Sequence, residues 1–225
     1  MKITYLGQAG FLVETDGKTI IIDPYLSDSV AKFEPQNKRR QPIDQSFLKL
    51  KPDVIICTHA HGDHFDVETL KNYLTEDSAI TFLSPRSAWT KAREFKGNNN
   101  YVLFNEGTEW TIGNVTLKAV KAEHSDEFAI GVILSAEGKN YFFTGDTLYN
   151  KKVIDSVKGI DIYAIFLPVN GRGNNMNKAD AVKLYGKVKA KHFVPVHIGM
   201  FDDITADDIL VKNKVVPTIY QEIKF

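Results

Sequence analysis

Short apolar runs separated by polar, turn-forming residues recur along this chain and predict a fold rich in β-strands. The pair Asp16-Gly17 marks the clearest hairpin turn between two such runs. Stretches with helical signals predict three helices, at residues 66–74, 87–95 and 178–188, and Asp66 is the expected N-cap of the first. The predicted strands are residues 3–6, 10–15, 19–23, 54–57, 79–83, 101–104, 109–112, 115–122, 129–135, 141–144, 162–168 and 193–196.

Two stretches of the chain resemble each other and predict an internal repeat. Residues 16–23 begin with Asp-Gly-Lys and residues 137–144 with Glu-Gly-Lys, and both continue into an apolar strand. Each is followed by a second apolar strand, a polar loop and a helix. We therefore predict one α/β domain over residues 1–225, made of two similar β-then-α halves packed sheet to sheet with helices outside. Chance similarity of two hairpins is the alternative.

The polar segment at residues 27–44 interrupts this pattern. It contains two prolines and is too long for a tight connection between strands. We predict a surface excursion or a lid.

Composition narrows the class of protein without naming a function. The 225 residues include 28 Lys and Arg against 28 Asp and Glu, so the net charge is zero and broad electrostatic capture of nucleic acid is not expected. The single cysteine, Cys57, excludes an internal disulfide and is expected in the core. No signal peptide or membrane-spanning run is visible, which predicts a cytoplasmic protein without a membrane partner.

Residues 58–64, Thr-His-Ala-His-Gly-Asp-His, place four metal-binding side chains within seven positions: His59, His61, Asp63 and His64. In an extended loop, residues two apart point the same way, so His59, His61 and Asp63 are expected to face one pocket. Imidazoles and carboxylates together suit zinc, iron or manganese. The alternative is a solvated polar loop, which is disfavoured because this motif contains three of the six histidines in the chain.

Three later residues fit the same predicted site. His124, Asp146 and His197 each stand just past the C-terminal end of a predicted strand, where loops gather functional groups along one rim. Asp146 alone could equally cap a turn. His192 begins the strand that leads to His197 and is expected to pack rather than to bind metal.

In order and number, these residues resemble the ligand series of the metallo-β-lactamase superfamily, over roughly residues 1–200. The resemblance implies an αββα four-layer sandwich of two similar halves. It also implies two divalent transition-metal ions, with zinc fitting best and manganese or iron as alternatives. The implied ligands are His59, His61 and His124 for one ion, Asp63, His64 and His197 for the other, and Asp146 as a bridge between them.

Within the superfamily, the chain is similar to the L-ascorbate-6-phosphate lactonase-like branch. Flavo-diiron relatives carry a carboxylate where this chain has His61, so a di-iron role in oxygen reduction is not expected. The residues that carry the similarity are 22–25 (Ile-Asp-Pro-Tyr), 39–42 (Arg-Arg-Gln-Pro), 170–173 (Asn-Gly-Arg-Gly) and 195–197 (Pro-Val-His).

The implied function is a metal-dependent hydrolase, in which a hydroxide bridging the two ions attacks a small, anionic lactone, ester or phosphoester. Asp63 is expected to orient the hydroxide and carry its proton, besides binding metal. Asp23 is a candidate acceptor for the N–H of a ligand histidine, with a simple turn role as the alternative. Among the cationic residues Arg39, Arg40, Arg172 and Lys178, Arg172 is favoured for substrate binding because it lies in a Gly- and Asn-rich loop.

Two other functions remain open. A ribonuclease or phosphodiesterase of the same superfamily would need an RNA-gripping insertion and a basic surface, neither of which is visible. A non-catalytic metal-binding regulator on the same fold would be expected to have lost ligands. The expected partner is a small-molecule substrate and no nucleic acid, and the sequence is compatible with a homo-oligomer.

Overall fold

Twelve strands form two six-stranded sheets in the computed structural model, which describes residues 1–225. Within each sheet, neighbours in the chain are neighbours in space. The first sheet contains, in spatial order, β1 (Lys2–Gly7), β2 (Gly10–Thr15), β3 (Lys18–Ile22), β4 (Val54–Ile56), β5 (Thr81–Ser84) and β6 (Asn100–Leu103). The second contains β7 (Glu109–Ile112), β8 (Val115–Lys121), β9 (Ile130–Ala136), β10 (Lys139–Phe143), β11 (Ile162–Pro168) and β12 (His192–Val196).

Four α-helices follow strands in the chain. They are α1 (Val67–Tyr73), α2 (Arg86–Ala92), α3 (Lys151–Ser156) and α4 (Lys178–Val188). The predicted N-cap is confirmed, because the Asp66 side chain accepts a hydrogen bond from the Glu68 amide. No helix of the molecule combines the length and the apolar character needed to cross a membrane.

Alternation of side chains along the central strands creates three apolar interfaces and therefore four layers. In β3, Ile20 and Ile22 belong to the core between the two sheets, whereas Ile21 faces the core shared with α1 and α2. In β10, Phe143 points between the sheets and Phe142 toward the core under α3 and α4. The predicted αββα sandwich is confirmed, since strands buried on both faces need a cover on each side.

The two halves repeat the same local construction, as predicted from the paired Gly-Lys turns. The β2–β3 turn has φ of 48° at Asp16 and 70° at Gly17, and the β9–β10 turn has 50° at Glu137 and 72° at Gly138. Two successive positive φ values are the signature of a type I′ hairpin turn. In each half the second hairpin strand then pairs in parallel with the next strand, β3 with β4 and β10 with β11.

Several short helical elements of the structure were not predicted from the sequence. The helix α3 has only six residues and one buried side chain, Val153, which is too little for a periodic signal. The predicted excursion at residues 27–44 contains two 3₁₀ turns, Val30–Lys32 and Pro35–Asn37, and a third follows at Phe47–Lys49.

The parallel strands direct the functional candidates to one edge of the sandwich. β3, β4, β10, β11 and β12 all end there, and the loop after each begins at that edge. Since β8 runs antiparallel to β9, and β9 antiparallel to β10, β8 ends at the same edge. The ends of parallel strands are where ligand-binding loops gather in α/β proteins.

Alanine substitutions at Gly138 and Gly186 should change the free energy of unfolding in opposite directions. Both glycines have open space where the methyl group of alanine would lie. Gly138→Ala should lower the free energy of unfolding by about 1 kcal/mol, because φ of 72° is unfavourable for a residue with a Cβ. Gly186→Ala, inside α4, should raise it by about 0.4–1 kcal/mol. Urea unfolding of both variants measures the two signs, and a loss of stability in both would contradict the assigned turn.

Candidate metal centre

The histidine motif after β4 forms a tight turn at residues 61–65, so the predicted extended backbone was wrong there. The amides of His64 and Phe65 both donate to the His61 carbonyl, at 3.1 and 2.7 Å. His61 and Asp63 both line one cavity, as expected, but the turn places them in different groups of candidate ligands. Gly62 sits in the turn without a positive φ, so its small size matters more than its conformational freedom.

All seven predicted ligand side chains nevertheless meet at the edge of the sandwich. They form three overlapping groups, and within each group one nitrogen or oxygen atom per residue lies within 4.8 Å of the others. The groups are His59, His61 and His124; Asp63, His64 and His197; and His59, His64 and Asp146. Asp146 thus shares a group with one histidine from each of the other two, which is the position expected of a bridging carboxylate.

Several of these atoms are buried without a hydrogen-bond partner, which tests whether a metal would fit. His59 Nε2 and Asp146 Oδ1 are both such atoms. Asp146 Oδ1 lies 2.7 Å from His197 Nε2 and 3.2 Å from His64 Nε2, but neither approach has hydrogen-bond geometry. His61 Nδ1 and His124 Nε2 face each other at 3.2 Å. Buried polar atoms left unpaired are costly, and a cation with nitrogen and oxygen ligands would satisfy them.

The charges at this edge also favour a cation. Burial by itself lowers the pKa of His64, but the carboxylates of Asp146, Asp23 and Asp63 outweigh it and hold that pKa well above its ordinary value. Burial would raise the pKa of Asp146, yet His197 and His64 keep it well below its ordinary value. The carboxylates therefore stabilise positive charge at the point where the histidine nitrogens converge.

Asp23 holds the histidine motif in place through three hydrogen bonds. Its carboxylate, 1% exposed, accepts hydrogen bonds from the Thr58 amide and hydroxyl, both at 2.7 Å, and from His64 Nδ1 at 2.8 Å. The bond to Nδ1 leaves His64 Nε2 directed at the site, as an acceptor behind a ligand histidine should. These contacts support the role predicted for Asp23 over that of a simple turn residue.

A family model described as a β-lactamase superfamily domain matches residues 2–197. The chain belongs to the metallo-β-lactamase superfamily. The model defines the superfamily and selects no branch within it, so the lactonase-like branch stays a prediction.

Relatives and solved structures agree with this membership. A UPF0173 metal-dependent hydrolase of Carboxydothermus hydrogenoformans is 30% identical over 228 residues, covering 92% of this chain and 88% of that protein. A UPF0173 metal-dependent hydrolase of Flavobacterium johnsoniae is 32% identical over 215 residues, covering 89% and 86%. The crystal structure of a possible metal-dependent hydrolase from Veillonella parvula superposes with a TM-score of 0.81 over 100% of this chain and 99% of that one, and at 16% identity it shows the fold alone.

Two amide side chains that the sequence did not predict contact the candidate ligands. Gln8 Nε2 lies 2.8 Å from Asp63 Oδ2 and 3.0 Å from His197 Nδ1. Asn175 Nδ2 donates to Asp146 Oδ2 at 2.8 Å, while its oxygen accepts from the Thr147 amide at 3.0 Å. Their only signal in the sequence is a position beside glycines or in an Asn-rich loop, which is common in ordinary turns.

A third missed residue, Asp126, fixes the outer side of the histidine motif. Its carboxylate accepts from the Ala60 amide at 3.1 Å and from the Ser87 hydroxyl at 2.6 Å. Ala60 stands between His59 and His61, so Asp126 holds the backbone that carries both.

A polar cavity of about 380 Å³ opens in front of these groups. The predicted excursion covers one side of it through Val30, Phe33, Glu34 and Asn37, and the Asn170–Asn175 loop lines another. Phe33 is 88% exposed there. The excursion is therefore placed as a lid over the cavity.

The structure separates the cationic residues that the sequence grouped together. Arg172 lines the cavity and is the only Lys or Arg that does, with Nη1 3.7 Å from Asp202 Oδ2. Arg39 is buried and donates to the Tyr25 carbonyl and the Tyr220 hydroxyl, both at 2.7 Å, so it is not available to a substrate.

Arg40 and Lys178 are likewise engaged elsewhere. They pair with Asp203 and Asp208, respectively, and neither lines the cavity. The two remaining minor predictions hold: Cys57 is buried in the core, and the ring of His192 packs against Tyr163 with centroids 4.9 Å apart.

Removing the Asp23 carboxylate should destabilise the protein even without metal. Asp23→Ala leaves buried donors of Thr58 and His64 without an acceptor, so the free energy of unfolding of chelator-treated protein should fall by about 2–4 kcal/mol. Asp53→Ala is a matched control, because its partly exposed carboxylate also accepts from a backbone amide, that of Thr19. We expect about 1 kcal/mol or less for the control, and equal losses would show that Asp23 is an ordinary turn residue.

Proposed function

We propose that this protein is a metal-dependent hydrolase that binds two divalent transition-metal ions, zinc fitting best, and cleaves a small ester, lactone or phosphoester. The observation that carries the proposal is the meeting of all seven predicted ligand side chains in overlapping groups, with buried atoms that lack any other partner. The relatives described as metal-dependent hydrolases support it.

The residues divide into two sets with a shared member. His59, His61 and His124 would hold one ion, Asp63, His64 and His197 the other, and Asp146 would contact both. When bound, such a pair of ions lowers the pKa of water so that hydroxide is available at neutral pH, and polarises the bond to be cleaved.

Asp63 is placed to manage the proton of the attacking water. Its carboxylate lines the cavity and is partly exposed, whereas Asp146 is buried at 5% exposure. A carboxylate that faces both the ligand histidines and the open cavity can accept a proton from water and release it to the leaving group. Gln8 holds one of its oxygens, so the other stays free to orient water.

The cavity supports a small molecule of modest charge as the substrate. Its volume of about 380 Å³ lies within the range of small-molecule sites. Four carboxylates line it, those of Glu34, Asp63, Asp146 and Asp202. Two divalent ions would balance these four charges, and Arg172 is the only Lys or Arg among the lining residues, which favours an anionic substrate.

The lid adds an apolar side to this cavity. Val30, Phe33 and Phe201 are its only hydrophobic lining residues. The exposed ring of Phe33 is available to cover an apolar part of the substrate. The substrate proposed is therefore an anionic ester or lactone that also carries an apolar group.

Reconstituted protein should contain two ions per chain by elemental analysis. Asp146→Asn should weaken metal binding, and it should lower kcat/KM by about 100-fold or more, because an amide is a poorer ligand and carries no charge. Asp207→Asn, at an exposed position outside the cavity, should change neither value. An Asp146→Asn variant with unchanged metal content and rate would mean that this carboxylate only caps a turn.

Substrate charge can be tested with a matched pair of cationic variants. Arg172→Ala should raise KM for an anionic ester or lactone about tenfold and leave a neutral analogue nearly unchanged, because only the charged group loses a charge-assisted hydrogen bond. Lys178→Ala removes a cation outside the cavity lining and should affect neither substrate. Equal effects of Arg172→Ala on both substrates would remove it from the binding site, and efficient RNA cleavage without esterase activity would overturn the substrate class.

A further inference from the structure

We propose that Gln8 is a positioning residue that ties Asp63 to His197 and thereby prepares one of the two metal positions and not the other. The inference rests on the proposed function to the extent that the group of Asp63, His64 and His197 holds an ion. Gln8 is not one of the seven candidate ligands and lies outside the histidine motif at residues 58–64.

The side chain of Gln8 contacts two predicted ligands at once. Its Nε2 lies 2.8 Å from Asp63 Oδ2 and 3.0 Å from His197 Nδ1. The amide nitrogen donates to the Asp63 carboxylate, and the same amide lies beside Nδ1 of His197, so one side chain reaches both partners. Gln8 is 3% exposed, and a buried hydrogen bond to a carboxylate is among the stronger ones.

These two ligands come from different sheets. Asp63 lies in the turn after β4 of the first sheet, and His197 directly follows β12 of the second. Gln8 itself lies between β1 and β2 of the first sheet, so its amide joins the halves at the metal site. No other side chain hydrogen-bonds to both Asp63 and His197.

The backbone of Gln8 reinforces this link. Its carbonyl accepts hydrogen bonds from the His197 amide and the Tyr5 hydroxyl, both at 2.9 Å. Gln8 and His197 have φ of 54° and 59°, a region that residues with a Cβ seldom adopt. Such conformations are unfavourable and persist where the surrounding structure enforces them, most often at functional sites.

Glutamine suits this position because its amide is both a donor and an acceptor. A histidine that binds metal through Nε2 needs an acceptor for the hydrogen on Nδ1, and an ionised carboxylate needs a donor. When His197 carries its hydrogen on Nδ1, Gln8 would keep Nε2 as the donor to Asp63 and turn Oε1 toward Nδ1 as the acceptor. One amide supplies both atoms without adding charge beside Asp63. The His59, His61 and His124 group has no contact with Gln8, so the effect should be confined to one ion.

Stepwise zinc titration of metal-free protein against a chromophoric chelator tests the proposal without measuring turnover. Gln8→Met keeps the side-chain length and removes both polar contacts. We expect one zinc ion to bind about 10–100-fold more weakly and the other to change by less than about threefold. Gln45→Met makes the same substitution at an exposed glutamine and should leave both affinities unchanged. Unchanged affinities in folded Gln8→Met, or equal weakening of both ions, would overturn the proposal.

A measurement on the wild-type chain covers the case in which Gln8→Met does not fold. With ¹⁵N-labelled glutamine, the five side-chain amides of Gln8, Gln36, Gln41, Gln45 and Gln221 are observed during the same titration. The Gln8 signal should move in one of the two binding steps only. A Gln8 signal that stays still throughout, or moves equally in both steps, would contradict the proposal.

The two proposals fail in different ways. Wild-type protein that binds zinc in two steps but hydrolyses none of the esters, lactones or phosphoesters would refute the proposed activity and leave the role of Gln8 standing. Wild-type protein that binds two ions and hydrolyses an ester, with a Gln8→Met variant of unchanged affinities, would refute only the positioning role.

Discussion

Burial of imidazoles and carboxylates at the seam between two sheets is the constraint on which the rest of this structure depends. His59, His64, Asp146 and His197 are at most 5% exposed, and two of their polar atoms have no hydrogen-bond partner. Such a cluster is unfavourable in a protein interior unless something compensates its charge. Bound metal would do so, which would link the stability of this edge to metal binding.

The sandwich supplies the rigidity that this arrangement needs. Strands buried on both faces leave little freedom at their C-terminal ends, so the residues that follow them are held in place. Gln8, Asp23 and His197 all have positive φ, which the surrounding hydrogen bonds enforce. Conformational cost is concentrated at the site, while the apolar interfaces between the layers stabilise the fold as a whole.

The lid and the Asn-rich loop form two walls of the cavity in front of the candidate metal centre. The lid is held to the rest of the molecule by the Ser29 hydroxyl, which donates to Asp66 at 2.8 Å, and by the Arg39 guanidinium, which donates to the Tyr220 hydroxyl at 2.7 Å. Asp66 also caps α1, the helix that directly follows the histidine motif. This wall of the cavity is therefore connected to the same turn that carries the ligands, so a change in the lid reaches the metal site through few bonds.

The sequence by itself determined the layered fold and the identity of the ligand candidates. Strand alternation, paired hairpin turns and histidine spacing depend on residues close together in the chain, so they can be recognised in the sequence alone. Only the tertiary structure decided how the ligands group, because the turn at His61 replaces the expected extended loop. It also decided that Arg39 is structural while Arg172 lines the cavity, and it brought Gln8 to Asp63 and His197. The contacts of Gln8 join residues 55 and 189 positions apart, and no local pattern encodes them. The contact with His197 exists only after the two sheets have packed together.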